Sequence, residues 1–327
     1  MHNASLDVVG IGNAIVDVIT TEGDDFLNRH EMTKGAMMLV DESRAEAIYA
    51  AMGAATVASG GSAANTIAGI ASFGGKTGYI GKVRNDILGD AFRRDITAVG
   101  AAFTTPATTE GPATARCLIV VTPDAQRTMN TYLGACVTLS PSDLDEELIR
   151  SAAITYLEGY LYDEKLAQEA FVAAAHMAHT AGRKVSLSLS DAFCVNRHRA
   201  AFLELVEHHV DILFANAAEI EALFETSDID HAIDTLRKMT SLAAITRSEH
   251  GSLVVGHDGV FEVAASPVAR VVDTTGAGDL YAAGFLHGLT TGAALHTCAT
   301  LGSLAAAEVI SHVGARPLTA LRTLVAT

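Results

Sequence analysis

The chain alternates short runs rich in β-branched residues with longer alanine-rich stretches, and this alternation constrains its fold more than any other feature. Strands and helices that alternate on this scale indicate a mainly parallel sheet with helices on both faces, and therefore the α/β class. The predicted strands are residues 6–11, 56–58, 77–80, 154–157, 185–189, 211–214, 243–246 and 252–255. The predicted helices are residues 62–73, 87–99, 164–180, 217–224, 229–240, 277–289 and 293–310.

Two segments break the alternation. Residues 16–41 and 104–133 carry short alternating stretches, such as 36–40 and 116–121, with Thr, Pro and Gly between them. They are typical of extra strands outside the main sheet. A small β lid and ordinary surface loops explain this pattern equally well. Because no linker or internal repeat interrupts the sequence, residues 1–327 are predicted to form a single domain that carries the two segments as a subdomain.

Composition excludes several function classes. The chain has 38 acidic and 22 basic residues and a formal net charge of −16, which disfavours attraction to nucleic acid or anionic membranes. No run of about 18 apolar residues is present, and the first residues lack a basic region, so neither a membrane span nor a signal peptide is expected. The cysteines form no CxxC pair, which favours reduced thiols in a cytoplasmic protein. They are Cys117, Cys136, Cys194 and Cys298.

Two glycine motifs resemble nucleotide-binding fingerprints, but each lacks one of the glycines that its fingerprint requires. Gly10-Ile11-Gly12 follows a predicted strand, but the third glycine of a dinucleotide fingerprint would be residue 15, which is Ile15. The stretch 75–77 resembles the end of a P-loop, but the first glycine of that motif would be residue 70, which is Ile70. A dehydrogenase and a P-loop enzyme are therefore disfavoured.

The run from Asp273 to Asp279 has the composition of a phosphoryl-transfer site. Its sequence, Asp-Thr-Thr-Gly-Ala-Gly-Asp, lies between a β-branched run and a predicted helix. The backbone amides of Gly276, Ala277 and Gly278 can approach an anion closely, and the helix dipole favours negative charge there. A carboxylate at Asp279 could accept a hydroxyl proton while these amides stabilise the moving phosphoryl group. The alternative is a helix with an ordinary acidic N-terminus.

Two further motifs open helices at the carboxyl ends of predicted strands. Gly60-Gly61-Ser62-Ala63-Ala64-Asn65 is a glycine turn whose Asn65 amide can bind a sugar hydroxyl, although a plain strand–helix turn has the same pattern. Asn216 and Glu219 are three residues apart and share a helix face. Together they suit a Mg²⁺ shell or its ordered waters, while an N-cap asparagine followed by glutamate is the simpler alternative.

At these motifs the sequence resembles the ribokinase-like (PfkB) family of sugar and nucleoside kinases, along nearly its whole length. The resemblance implies a Rossmann-like α/β domain with a β-sheet lid over the substrate, and it implies ATP and Mg²⁺ as cofactors. Within the family the adenosine kinases are most similar. Residues 10–17 resemble their opening, in which the residue at Asp17 binds the ribose diol.

The resemblance implies a role for each matching residue. Asp279 would be the general base and residues 276–278 the anion hole, while Asn216 and Glu219 would organise Mg²⁺. The substrate-binding residues would be Asn13, Asp17, Gly61, Ser62, Asn65, Arg127 and Tyr160, with Arg127 reaching the phosphates from the lid and Tyr160 near the nucleobase. The ATP site would include Asn216, Glu219, Thr246, Ser248, Gly251, Thr275 and Ser303.

A monovalent-cation loop and one substitution complete the resemblance. Asp273, Thr275, Val309, His312 and Gly314 resemble the K⁺ loop of ribokinases, but Leu318 replaces a serine that would assist it. Ser62 stands where ribokinases often carry lysine, which favours a nucleoside over a free sugar. The leading hypothesis is transfer of the ATP γ-phosphoryl group to the 5′-hydroxyl of adenosine, in a monomer or homodimer. A sugar kinase of the same family and a non-catalytic nucleoside-binding regulator are the alternatives.

Overall fold

A computed structural model describes residues 4–124, 126–257 and 259–325, which form strands in two sheets and the helices that cover them. The strands are β1 (Leu6–Ile11), β2 (Ile15–Thr21), β3 (Met37–Leu39), β4 (Thr56–Ser59), β5 (Thr77–Ile80), β6 (Ala115–Val121), β7 (Arg127–Tyr132), β8 (Ala152–Glu158), β9 (Lys184–Ser188), β10 (Ile212–Asn216), β11 (Leu242–Thr246), β12 (Ser252–Gly256) and β13 (Gly259–Val263). The helices are α1 (Asp24–Arg29), α2 (Glu42–Ala51), α3 (Ser62–Phe73), α4 (Ile87–Ala98), α5 (Glu146–Ser151), α6 (Lys165–Thr180), α7 (Ala192–His209), α8 (Ala217–Phe224), α9 (Ile229–Met239), α10 (Ala277–Thr290), α11 (Leu295–Val309) and α12 (Leu321–Val325).

The larger sheet has eight strands in the order β13-β12-β11-β10-β9-β8-β1-β5. Its strands pair in parallel from β5 to β11, whereas β12 and β13 pair antiparallel at one edge. Every residue of β5 and β8 is buried, as expected for parallel strands covered on both faces. The predicted α/β class with helices on both faces of a mainly parallel sheet is confirmed.

The smaller sheet has five strands in the order β3-β7-β6-β2-β4. Four of its strands come from the two segments that break the alternation, and β2 begins one residue before the first of them. β4 is the exception, because the predicted strand at 56–58 pairs antiparallel with β2 in this sheet and not with the main sheet. One face of the smaller sheet packs on α1 and α2, whose Phe26, Leu27 and Ile48 are buried.

Most predicted helices begin and end within two residues of the observed ones, and α3 and α8 match at both ends. The prediction missed α7, an 18-residue helix that buries Val195 on one side and Phe202 on the other side of a break at His198. The polar run at residues 196–199 interrupts its apolar periodicity, so the pattern resembled a loop. The prediction also missed the short helices α1, α2, α5 and α12 and the edge strand β13. No helix among the described residues is long and apolar enough to cross a membrane.

The packing of α3 on α10 brings two helix N-termini together. A Cβ on Gly69 of α3 would lie only 2.6 Å from the Cβ of Ala283 on α10, so only glycine allows this approach. Thr66 strengthens the contact, because its hydroxyl donates to the carbonyl of Asp279 at 3.1 Å. The glycine turn before α3 and the Asp-Thr-Thr-Gly-Ala-Gly-Asp run before α10 therefore face the same space.

Candidate active site

The N-terminal turn of α10 has the backbone that an anion hole requires. Gly276 is the N-cap residue with φ of 80°, and a Cβ there would approach the carbonyl oxygen of Ala315 to 2.8 Å. Gly278 is exposed and open, since a Cβ there would meet no atom within 4 Å. The amide of Ala277 donates to the carbonyl of Thr274 at 3.2 Å, which closes the turn. The helix dipole makes this turn favourable for a phosphoryl oxygen.

Asp279 lies in the first turn of α10 and is held by two side chains of α3. Its carboxylate accepts hydrogen bonds from the Ser62 hydroxyl at 2.6 Å and from the Asn65 amide nitrogen at 3.0 Å. Burial raises the pKa of Asp279, and the two hydrogen bonds oppose that rise. The two hydrogen bonds thus hold the carboxylate in the first turn of α10, directly after residues 276–278.

Asp17 lies on β2, facing the glycine turn that precedes α3. A Cβ on Gly60 would lie 2.5 Å from its carboxylate oxygens, so the glycine leaves room for that carboxylate. Gly61, with φ of 91°, packs against the carbonyl of Asn13. Burial raises the pKa of Asp17 to about 6, and the positive charges of Arg127 and Arg316 moderate that rise.

Sequence reasoning missed Glu158, a buried carboxylate beneath the same turn. Glu158 is 1% exposed at the end of β8, where it accepts from the Asn13 amide at 2.8 Å and from the Ala63 backbone N–H at 2.7 Å. Burial raises its pKa to about 7, against the effect of these hydrogen bonds. A lone glutamate at the end of an apolar predicted strand is the signal that could have identified it. It ties the start of α3 to β1 and β8.

Asn216 and Glu219 form a capping box at the start of α8. The Asn216 side chain accepts from the Glu219 N–H at 2.9 Å, and the Glu219 carboxylate accepts from the Asn216 N–H at 3.0 Å and from its amide at 2.7 Å. Glu219 is 5% exposed, and burial raises its pKa to about 7. Among the described residues no group of three His, Cys, Asp or Glu side chains could hold a metal ion. Carboxylate and amide oxygens such as those of Glu219 and Asn216 are the type of ligand that Mg²⁺ and its bound waters prefer.

The residues predicted to bind ATP lie along neighbouring strand ends. Thr246 pairs with Asn216 across β10 and β11, and its hydroxyl donates to the carbonyl of Ala215 at 3.5 Å. Ser248 and Gly251 form the turn between β11 and β12, both with positive φ. The Ser303 hydroxyl accepts from the N–H of Ser266 at 2.7 Å, just beyond β13. Tyr160 is 39% exposed in the turn after β8. Burial raises the pKa of its hydroxyl, and the nearby charges of Asp279, Glu219 and Glu158 raise that pKa further.

The loop proposed for a monovalent cation already holds a cationic side chain. The Asp273 carboxylate accepts from the Thr275 N–H at 3.0 Å, the Thr275 hydroxyl at 2.6 Å and the Gly314 N–H at 3.0 Å, and it forms an ion pair with Arg127 of β7. Burial alone would raise the pKa of Asp273, but these contacts lower it. With all its acceptor directions engaged, this carboxylate does not fit a K⁺ ligand in the present arrangement.

The other residues of that loop are used structurally. Val309 is fully buried in α11, and His312 contacts Glu308 at 3.3 Å. The Glu308 carboxylate also accepts from the backbone N–H groups of Leu318 and Thr319, at 3.0 and 2.8 Å. These contacts fix the loop from 310 to 320 beside the N-terminus of α10.

Comparisons with known proteins show relatives with the same fold. The structure of adenosine kinase from Sinorhizobium meliloti is 51% identical and covers 99% of both chains, with a TM-score of 0.91. The structure of a probable sugar kinase protein from Rhizobium etli CFN 42 is 47% identical and covers 99% of this chain and 98% of its own, also with a TM-score of 0.91. The adenosine kinase of Saccharomyces cerevisiae is 25% identical over 94% of this chain and 95% of its own length. The profile of the pfkB family carbohydrate kinases matches residues 36–321, and the chain belongs to this family of kinases.

Proposed function

We propose that this kinase transfers the γ-phosphoryl group of ATP to the 5′-hydroxyl of a nucleoside, with adenosine as the substrate. The observation that carries the proposal is the Asp279 carboxylate, held by Ser62 and Asn65 beside the N-terminal turn of α10. A protein that only bound nucleosides would not need a base fixed at an anion hole, which argues against a non-catalytic regulator. The resemblance to the S. meliloti protein, named as an adenosine kinase, supports the choice of substrate.

Each group of residues has a part in the proposed reaction. Asp279 accepts the proton of the 5′-hydroxyl as that oxygen attacks the γ-phosphorus. The bond from the γ-phosphorus to the β,γ-bridging oxygen breaks and ADP leaves, while the amides at 276–278 stabilise charge on the transferred group. Asp17 accepts hydrogen bonds from the two ribose hydroxyls, while Gly61, Ser62 and Asn65 border the sugar and Glu158 fixes their turn through Asn13 and Ala63. Mg²⁺, when bound with ATP, offsets phosphate charge, and the Asn216–Glu219 pair orders its waters.

The remaining site residues surround ATP and the nucleobase in this proposal. Thr246, Ser248, Gly251, Thr275 and Ser303 border the nucleotide, and Tyr160 borders the base. Arg127 exchanges Asp273 for the phosphates when the smaller sheet closes as a lid. The setting that fits these features is purine salvage in the cytoplasm, by a monomer or homodimer.

A sugar kinase of the same family is the second candidate. The probable sugar kinase from R. etli is 47% identical to this chain with the same TM-score as the adenosine kinase, so overall similarity does not separate the two activities. An ADP-release assay with adenosine, guanosine, inosine, cytidine, ribose and fructose tests both. Highest kcat/KM on adenosine supports the proposal, and turnover of free sugars alone would replace it with the second candidate. Absence of ADP release with every acceptor would favour a binding protein.

A further inference from the structure

Arg316, which the sequence motifs do not include, lies in the loop between α11 and α12. This loop is held against the N-terminal turn of α10, because Gly314 donates to Asp273 at 3.0 Å and Ala315 fills the space where Gly276 lacks a Cβ. The loop therefore brings the guanidinium of Arg316 to the substrate side of α3. Its position is fixed by the same contacts that shape the anion hole.

The guanidinium is buried among groups of the candidate site. Its Nε donates to the Oδ1 atom of Asn65 at 3.4 Å, and its Nη2 is buried and has no hydrogen-bond partner among the described residues. Burial disfavours the cation and lowers the pKa of Arg316, whereas the nearby carboxylates of Asp17 and Asp95 favour the charged form. Burying a cation with an unpaired donor costs free energy of folding unless neighbouring negative charges compensate for it.

The contact with Asn65 decides which way that amide points. Because Oδ1 of Asn65 accepts from Arg316, its Nδ2 is directed to the other side, where it donates to the Asp279 carboxylate at 3.0 Å. A flipped amide would place its nitrogen against the guanidinium and its oxygen against the carboxylate, and both contacts would be repulsive. Arg316, Asn65 and Asp279 thus form a chain with one favourable order of donors and acceptors.

We propose that Arg316 is a positioning residue for phosphoryl transfer, which orients the Asn65 side-chain amide towards Asp279. This inference rests on the kinase activity proposed above. Arg316 acts through Asn65, since its Nε donates to that side chain and its Nη2 is buried. Its role differs from that of Arg127, which reaches the cleft from the lid strand β7.

The charges around Asp17 predict a signature in the pH profile. The titratable groups that face Asp17 are Arg127 of β7, Arg316 of the α11–α12 loop, Asp279 of α10 and Cys117 of β6. The two arginines lower the pKa of Asp17, and Asp279 raises it. Removing the charge of Arg316 therefore raises this pKa further, so the ionised acceptor for the ribose hydroxyls is lost at a higher pH.

Steady-state kinetics of R316M and R316K with adenosine, from pH 5.5 to 9, test the proposal. R316M removes the charge and the donor, so we expect kcat to fall roughly 10- to 100-fold from misalignment of the base, and the acid limb of kcat/KM to move to higher pH. R316K keeps the charge, so its acid limb stays near that of the wild type while kcat remains reduced. Equal kcat and pH profiles in all three proteins would overturn the inference.

A double-mutant cycle and a control variant separate positioning from stability. If Arg316 acts through Asn65, R316M lowers kcat much less in the N65A background than in the wild type. The control is R93M, because Arg93 is also partly buried and donates to the carbonyls of Phe103 and Thr105, away from the site. We expect R93M to lower Tm without shifting the acid limb of the kcat/KM profile. R316M could also lower Tm, leave the acid limb of kcat/KM at the wild-type pH, and have an effect on kcat that simply adds to that of N65A. That result would give Arg316 a structural role only.

The activity of the wild-type protein separates failure of the proposed function from failure of the proposed role of Arg316. Absence of ADP release from wild type with adenosine would reject the proposed function. A wild type that turns over adenosine, together with R316M and R316K of unchanged kinetics, would reject the role of Arg316 alone.

Discussion

Asp279 carries the chemistry of the proposed site as a carboxylate whose two oxygens each accept one hydrogen bond. D279N keeps the size of the side chain and removes the basic oxygen. We expect kcat to fall by roughly 10²–10⁴ with ATP binding retained, because general-base loss has this magnitude. Steady-state ADP release and calorimetric ATP titration measure the two effects. Near-normal turnover by D279N would reject Asp279 as the base.

Asp17 supplies the test of substrate class. Its carboxylate offers two acceptor oxygens to the two adjacent donors of a ribose 2′,3′-diol. A missing hydroxyl leaves a buried charge partly unpaired, and such sites reject the deficient analogue by up to about 10⁴–10⁵. We expect 2′-deoxyadenosine and 3′-deoxyadenosine to have much lower kcat/KM than adenosine, and D17A to narrow the difference. Equal discrimination in wild type and D17A would show that Asp17 does not bind the diol.

Glu158 predicts a pH dependence of stability with a definite sign. An unfolded glutamate releases its proton near pH 4.5, whereas folded Glu158 keeps it to about pH 7. Its contribution to stability is therefore complete below pH 4.5 and is lost as pH rises through 7. Between pH 5 and 8 the wild type should lose on the order of 3 kcal/mol of unfolding free energy relative to E158Q.

Urea unfolding of the wild type and E158Q at several pH values measures this difference. The control is E147Q, because Glu147 is exposed on α5. Its unfolding free energy should follow the wild type at every pH. A parallel pH dependence of E158Q and wild type would contradict a pKa of Glu158 that burial raises to about 7.

At the scale of elements, the start of α8 combines a capping box with the proposed Mg²⁺ function. Asn216 and Glu219 hydrogen-bond to each other as a helix cap. The same arrangement is also compatible with the proposed ordering of Mg²⁺-bound water. E219Q removes the negative charge while keeping an acceptor for the Asn216 N–H. We expect the Mg²⁺ concentration for half-maximal rate to rise about 10- to 100-fold, as for other groups that act through metal-bound water. An unchanged Mg²⁺ dependence would leave the motif as a helix cap alone.

Elements were predictable wherever local pattern matched burial. The bounds of β1, β5, α3 and α8 follow directly from apolar periodicity and the glycine turns. The helix α7 was not predictable, because its polar run at 196–199, which includes the break at His198, interrupts the apolar periodicity. The assignment of 56–59 to the smaller sheet depends on pairing with β2, and local sequence carries no information about pairing partners.

In the candidate site, too, the residues of local motifs could be predicted from sequence, and those that act through distant contacts could not. Its glycine turns and carboxylates could be identified from sequence, because each motif is contiguous and opens a helix. Arg316 could not, since it acts on a residue that is distant in the chain and carries no motif of its own. The only signal for Glu158 was a lone glutamate at the end of an apolar predicted strand, and its contact with Ala63 depends on the fold. The sequence predicts that Ser62 and Asn65 bind the ribose, whereas their hydrogen bonds to Asp279 depend on the packing of α3 on α10.

At the scale of the whole molecule, the smaller sheet is tied to the main domain through Arg127 and Asp273. If nucleoside closes this sheet as a lid, water is excluded from the γ-phosphoryl group. We expect hydrogen exchange at 16–41 and 104–133 to slow when adenosine is added, while exchange in β12 serves as an internal control. Equal exchange in the two segments with and without adenosine would contradict closure.

The close contact of Gly69 with Ala283 has a consequence for how activity develops during folding. It joins helices from opposite ends of the polypeptide, and the base and the hydroxyl that holds it, Asp279 and Ser62, are separated by 217 positions in sequence. Such distant contacts form late, after most local structure is present. We therefore expect the Asp279 carboxylate to be held in place only after α3 and α10 have docked, so that phosphoryl transfer would report the completed packing of these two helices.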